Sequence, residues 1–158
     1  MNLKKTILVL SLAALTIEGC KKDKASTAAP KLAFDKITLA DIKEMEPKMT
    51  AEKIVGTSAA GILLKPGAVI LYKTNAGNYG KLKVVSNNGS LTIDILTYKT
   101  GSSDLNKPGL KINPTGTCDL DTGISPSDTN INDFHWESIN NDQNLAPQNT
   151  AIFYHYSN

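Results

Sequence analysis

Apolar and polar residues alternate along this chain with two different periods, and the change of period divides it. Residues 6–17 (TILVLSLAALTI) form an almost unbroken apolar run behind Lys4-Lys5. Residues 21–33 are small or charged and follow no period, as in a flexible tether. Thr38, with Asp41 three residues on, reads as a helix cap, so a short helix is expected over about 39–46, stopped by Pro47. A weaker helical stretch is expected over about 50–55 before Gly56. Residues 57–67 read as a loop with the turn Lys65-Pro66-Gly67.

From residue 68 the texture turns to strands. Residues 68–74 (AVILYKT) suit a buried strand, and 81–86 (KLKVVS) lead into Asn87-Asn88-Gly89-Ser90, a hairpin signal. Leu91, Ile93 and Ile95 alternate with Thr92 and Asp94 in a half-buried strand running to Tyr98. Residues 100–109 read as turn-rich, 110–112 and 115–120 as short extended pieces, and 123–133 as a loop. A strand at 134–139, a loop at 140–149 and a closing strand at 150–156 complete the pattern. Six to seven strands without intervening helices predict a mainly β fold, a small antiparallel β-sandwich or barrel over 62–158. The helical lead-in at 37–61 precedes it. Val69, Leu71, Leu82, Val84, Leu91, Ile93, Ile95, Ile112, Leu120, Trp136 and Phe153 are the expected core.

Composition changes this picture little. A chain of 158 residues has room for one domain plus extensions, and 41% apolar with 20% charged residues is an ordinary globular balance. The net charge is +2 and every basic residue is lysine. Without a basic patch, and without the fork-shaped arginine donor, no nucleic-acid partner is expected.

The amino-terminal segment is more specific. Its apolar run is shorter than the roughly 20 residues that span a bilayer, and it ends in Ile17-Glu18-Gly19-Cys20. This resembles the lipobox of bacterial lipoproteins, from which Glu18 departs, since a small or aliphatic residue is usual there. The resemblance implies a signal peptide over 1–19, acylation of the Cys20 thiol with diacylglycerol, and a mature chain that starts at Cys20 with a tether to about residue 36. The lipid bilayer would then be a partner. Two or three acyl chains, at about 0.8 kcal/mol per buried CH₂, hold a protein on a membrane for practical purposes. The alternatives are a non-lipidated signal peptide near a free cysteine, or a buried amino-terminal helix. Cys-Lys-Lys-Asp-Lys after the signal is similar to lipoproteins of Bacteroidota-type bacteria, which implies the outer membrane. YKTNAGNYGKL, LTYKTG, GTCDLDTG, DFHWE and APQNTAIF are similar to segments of uncharacterised secreted or lipid-anchored bacterial β-rich domains. That resemblance covers about 62–156 and implies no chemistry. With Cys20 acylated, Cys118 has no intramolecular partner and reads as a buried apolar residue.

Candidate chemistry is sparse. Asn75 to Lys81 ends in Gly-Lys but lacks the first glycine and the final Ser or Thr of a phosphate loop, and reads as a strand-connecting turn. Leu120-Asp121-Thr122-Gly123 imitates an aspartic-protease triplet, which needs a second aspartate from another lobe or subunit. Asp119-x-Asp121-x-Gly123 hints at calcium but lacks an oxygen ligand at its fifth position and Glu at its twelfth. His135 and Glu137 share one strand face, and His155 on the last strand completes the smallest set that could hold zinc or do acid/base work. Tyr79, Tyr98 and Trp136 among Asn, Asp and Thr offer aromatic faces of the kind that grip sugars. A non-catalytic binding or interaction domain at the cell envelope is therefore expected, with a glycan or envelope protein as partner and no cofactor. A small hydrolase using His135, Glu137 and His155, and a structural envelope component, are the rival readings.

Overall fold

A computed structural model describes residues 32–58, 61–140 and 142–156. The signal segment, Cys20 and residues 21–31 lie outside these. The chain forms helix α1 (Leu39–Glu44) and strands β1 (Ile54–Val55), β2 (Thr57–Ser58), β3 (Gly61–Ile62), β4 (Val69–Lys73), β5 (Tyr79–Asn88) and β6 (Ser90–Tyr98). It continues through β7 (Leu105–Ile112), β8 (Thr117–Cys118), β9 (Phe134–Ile139), β10 (Asp142–Pro147) and β11 (Ile152–His155). The antiparallel strands β11-β4-β5-β6-β7 make one sheet and β1-β10-β9-β8 another, while β2 and β3 pair separately. The two sheets face each other as an open sandwich, not a closed barrel, and together hold nine strands where six or seven were expected.

The strongest periodicity gives the clearest strand. Along β6, Leu91, Ile93, Ile95 and Thr97 are buried and the residues between them are half-exposed. Their inward face meets Phe134, Trp136, Leu145 and Cys118 of the opposite sheet. All eleven expected core residues are buried. The hairpin falls where Asn-Gly placed it, with Gly89 at φ +90°, a conformation glycine adopts without a Cβ penalty. At Gly80 the reason is space, since a Cβ there would collide with the ring of Tyr72. That ring is fully buried against Phe153 (centroids 5.9 Å apart), and its hydroxyl meets Thr97 Oγ1 at 2.7 Å. Thr97 in turn donates to the Leu120 carbonyl at 2.6 Å, so this polar chain is satisfied inside the core.

Both faces of β4 are buried, and they bury into different layers. Ile70 and Tyr72 join the inter-sheet core, whereas Val69 and Leu71 pack on the other face against Ile37, Ile42 and Met49 of the lead-in. The lead-in is thus a third layer. Its helix starts as the sequence indicates: Thr38 Oγ1 accepts from the Asp41 N–H, and the Asp41 carboxylate accepts from the Thr38 N–H. The 3-10 turn Phe34–Lys36 already belongs to the folded body, with Phe34 packed on the same cluster. Lys81, only 3% exposed, lies under this layer and donates to the carbonyls of Phe34 (2.6 Å) and Ile37 (2.7 Å).

Four segments depart from expectation, the first being 57–67, read as a loop, where the two-residue strands β2 and β3 pair with each other. Residues 50–55 are not helical: Thr50 bridges to Phe153, and the β-branched Ile54-Val55 pair with β10. Strand β7 begins at Leu105, inside a stretch that reads as turns, with Pro108-Gly109 opposite the single residue Asp94 in a bulge. The Gly109 N–H donates to Asp94 Oδ1 at 2.9 Å. Strand β10, read as a loop, sends only Leu145 into the inter-sheet core from its fully buried positions, so it shows no apolar alternation. Its Pro147 sits at the last position, beyond the short partner β1, where the missing N–H costs no ladder bond.

Candidate functional site

Strand β9 turns Phe134 and Trp136 inward, so His135 and Glu137 point out from the four-stranded sheet. His155 is on β11 of the other sheet, with Nε2 2.9 Å from the Leu63 carbonyl. The three do not form one ligand set; among the described residues the only such cluster is Asp119, Asp121 and Asp133. Glu137 instead accepts from Asn144 Nδ2 (3.3 Å) and stands 3.6 Å from Lys53 Nζ.

The aromatic candidates separate as well. Trp136 is fully buried, and its Nε1–H donates to the Gly89 carbonyl at 2.9 Å, so it is a core residue and offers no ligand face. Tyr79 and Tyr98 are cross-strand neighbours on the outer face of the five-stranded sheet, beside the lead-in. The Tyr79 hydroxyl donates to Glu46 Oε2 (2.6 Å), Lys73 Nζ pairs with Glu46 Oε1 (2.7 Å), and Lys43 lies 5.4 Å from the Tyr79 ring centre. Hydrogen bonds from Lys73 and then Tyr79 hold the Glu46 carboxyl below its ordinary range, while the bond to Glu46 pushes the Tyr79 phenol up. This group staples the lead-in to the sheet and leaves Tyr79 committed to it.

The carboxylates at 119 and 121 acquire a third partner that the sequence does not flag. Side-chain atoms of Asp119, Asp121 and Asp133 lie within 4.8 Å of one another. Asp133 is fully buried; its Oδ1 accepts from the Asn75 N–H and its Oδ2 from the Leu120 N–H, both at 2.7 Å. Asp119 Oδ1 accepts from the N–H groups of Asp121 (2.8 Å) and Thr122 (3.3 Å), and its Oδ2 from the Thr122 hydroxyl (2.7 Å). Asp121 Oδ1 accepts from Asn78 Nδ2 (2.9 Å) and the Thr74 hydroxyl (3.1 Å). Three carboxylates at this spacing are also what a hard cation collects. Here both oxygens of Asp133 and both of Asp119 are engaged by N–H or O–H donors, so hydrogen bonds already hold these two carboxylates in place. No pattern marks Asp133, because its donors come from 58 and 13 residues away. Residues 75–78 form the strand-connecting turn expected, closed by Thr74 N–H to the Asn78 carbonyl at 2.8 Å, while residues 79–81 already belong to β5. Burial pushes the Cys118 thiol well up, so it stays protonated and inert.

A concave feature lies elsewhere on the four-stranded sheet. Lys53, Glu137, Ile139, Asn140, Asp142 and Asn144 line an open cleft at the tip of the β9–β10 hairpin. It offers two carboxylates, two amides and an ammonium beside Ile139, which is 55% exposed.

The fold and these groups define an antiparallel two-sheet sandwich with a helical cover and a polar cleft. Comparisons with protein-family models, with curated proteins and with solved structures found no match. Among the described residues no helix is long and apolar enough to cross a membrane.

Proposed function

We propose that this chain is a cell-envelope lipoprotein, anchored through acylated Cys20 in the outer membrane, whose sandwich binds a ligand and does no catalysis. The observation that carries the reading is where the tether meets the body. Leu32 arrives on the lead-in side, its N–H donating to the Tyr156 hydroxyl at 3.0 Å, while Glu137 and Asn144 face out from the opposite sheet. A body held by its lead-in side presents the cleft away from the bilayer. Residues 21–31 reach at most about 40 Å when extended, which keeps the body close to the surface. The cleft's mixture of acceptors and donors suits hydroxyl groups, which need both, so a glycan is the first ligand class proposed.

Two measurements test this. The full chain, expressed in a bacterium fed labelled palmitate, is expected to carry label that the Cys20→Ala variant loses; label retained by the variant removes the anchor. On a glycan array, detergent-solubilised full chain is expected to bind a subset of glycans, and Glu137→Ala to weaken that binding about tenfold, the loss of one charge-assisted hydrogen bond. Silence across the array, or binding indifferent to Glu137, removes the glycan cleft and leaves the anchor standing.

A further inference from the structure

The cleft at the tip of the β9–β10 hairpin is richer in acceptors than in donors. Antiparallel pairing sets Glu137 opposite Asn144 and Ile139 opposite Asp142, so these four side chains share the outer face of the four-stranded sheet. Glu137 and Asp142 are diagonal neighbours there, two like charges. The cleft sets one cation against them. Lys53 Nζ stands 3.6 Å from Glu137 Oε2 with its side chain 54% exposed, so the pair is long and screened by water. Among the described residues Asp142 has neither a hydrogen-bond nor an ion-pair partner for its carboxylate.

Asn144 sharpens the imbalance. It is only 7% exposed, yet it lines the cleft. Its Nδ2 donates to Glu137 Oε2 at 3.3 Å, while among the described residues its Oδ1 accepts nothing. An enclosed amide oxygen of this kind is satisfied only by a donor that enters the cleft, water or ligand. Both contacts of Glu137 also fall on Oε2, so Oε1 is equally unclaimed.

A hydroxyl brings one donor and accepts in return, whereas a primary ammonium brings three donors, no acceptor and a positive charge. Glu137 Oε1, Asn144 Oδ1 and the Asp142 carboxylate are acceptors suited to such a group, and two of them are charged. We propose that the cleft selects amino sugars, holding a free ammonium of the ring among Glu137, Asp142 and Asn144 while Ile139 meets the ring's C–H face. The proposal rests on the glycan reading of the cleft and narrows it. Lys53 stands where that ammonium arrives and gives up its place to it. An N-acetylated amine is a poorer fit, since it has lost the charge and two of the three N–H groups. An acidic sugar is worse, because the cleft is itself negative on balance.

Isothermal titration of the detergent-solubilised full chain with three tetrasaccharides tests this: one of glucosamine, one of N-acetylglucosamine and one of galacturonic acid. The glucosamine tetramer is expected to bind about tenfold more tightly than its N-acetylated form, the worth of one charge-assisted hydrogen bond, and the acidic tetramer to bind most weakly. Glu137→Gln and Asp142→Asn keep the shape and remove one charge each. Either is expected to reduce the preference for the free amine to about twofold. Lys53→Met removes the competing cation and is expected to strengthen glucosamine binding about threefold. Weaker binding in that variant overturns the proposal, because Lys53 would then be a donor to the sugar. So does equal affinity for the free and acetylated tetramers, a preference for the acidic one, or a free-amine preference that survives both carboxylate changes. Each of those results leaves the glycan cleft standing, whereas silence across the whole glycan array removes the cleft and this proposal together.

Discussion

Replacing Trp136 by alanine is expected to cost about 3–5 kcal/mol, which is much of the margin of a domain this size. Two losses add. The indole is the largest fully buried side chain of the inter-sheet core, and removing it leaves a cavity that a close-packed interior does not refill. Its N–H also satisfies the carbonyl of Gly89 at the tip of the β5–β6 hairpin, so truncation strands a hydrogen bond that ties one sheet to the other. Trp136→Phe keeps much of the volume and loses the donor; its expected cost is about 1–2 kcal/mol. Urea unfolding followed by far-ultraviolet circular dichroism measures both, since the only tryptophan is the residue replaced. Equal, small costs would show that the indole carries no such share of the core.

Lys81→Met is the second large effect, and it is local. Methionine fills most of the lysine's volume, so packing changes little. Without the ammonium, the carbonyls of Phe34 and Ile37 lose the donor that reaches both from below. Leaving them unpaired costs about 2 kcal/mol, offset in part because a charge is no longer buried. The consequence is that the lead-in peels before the sandwich opens. Limited trypsin digestion is expected to cut faster after Lys43 or Lys48 in the variant, with β4–β11 intact. Unchanged protection of those bonds would show that the apolar contacts of Ile37, Ile42 and Met49 hold the layer without the clip.

Where periodicity was strong, the chain was legible. The alternation of Leu91, Ile93 and Ile95, the apolar run at 69–72, the Asn-Gly hairpin and the Thr38–Asp41 cap all correspond to elements in the structure. Each rests on interactions within a few residues or on one buried face. The segments misread depend on partners instead. Strand β10 is extended because β9 and β1 pair with it, not because DQNLAP favours a strand, and residues 54–55 follow it. That Val69 and Leu71 bury in a different layer from Ile70 and Tyr72 was equally out of reach, since an apolar run does not say what covers each side. Site chemistry was less legible still. His135 and Glu137 do share a face, but His155 belongs to the other sheet, and Trp136, an apparent platform, turns inward with the core. The Asp119–Asp121 pair gained Asp133 only through the fold.

The bulge on β7 has a social consequence. This strand is an open edge of the five-stranded sheet, the place where a second chain would add by extending the ladder. Pro108 has no N–H to offer, the N–H of Gly109 is turned back to Asp94, and Lys111 stands exposed beyond them. On the proposed membrane, copies confined to a plane meet far more often than copies in solution. An edge blunted in this way resists extension from β7 while the copies crowd.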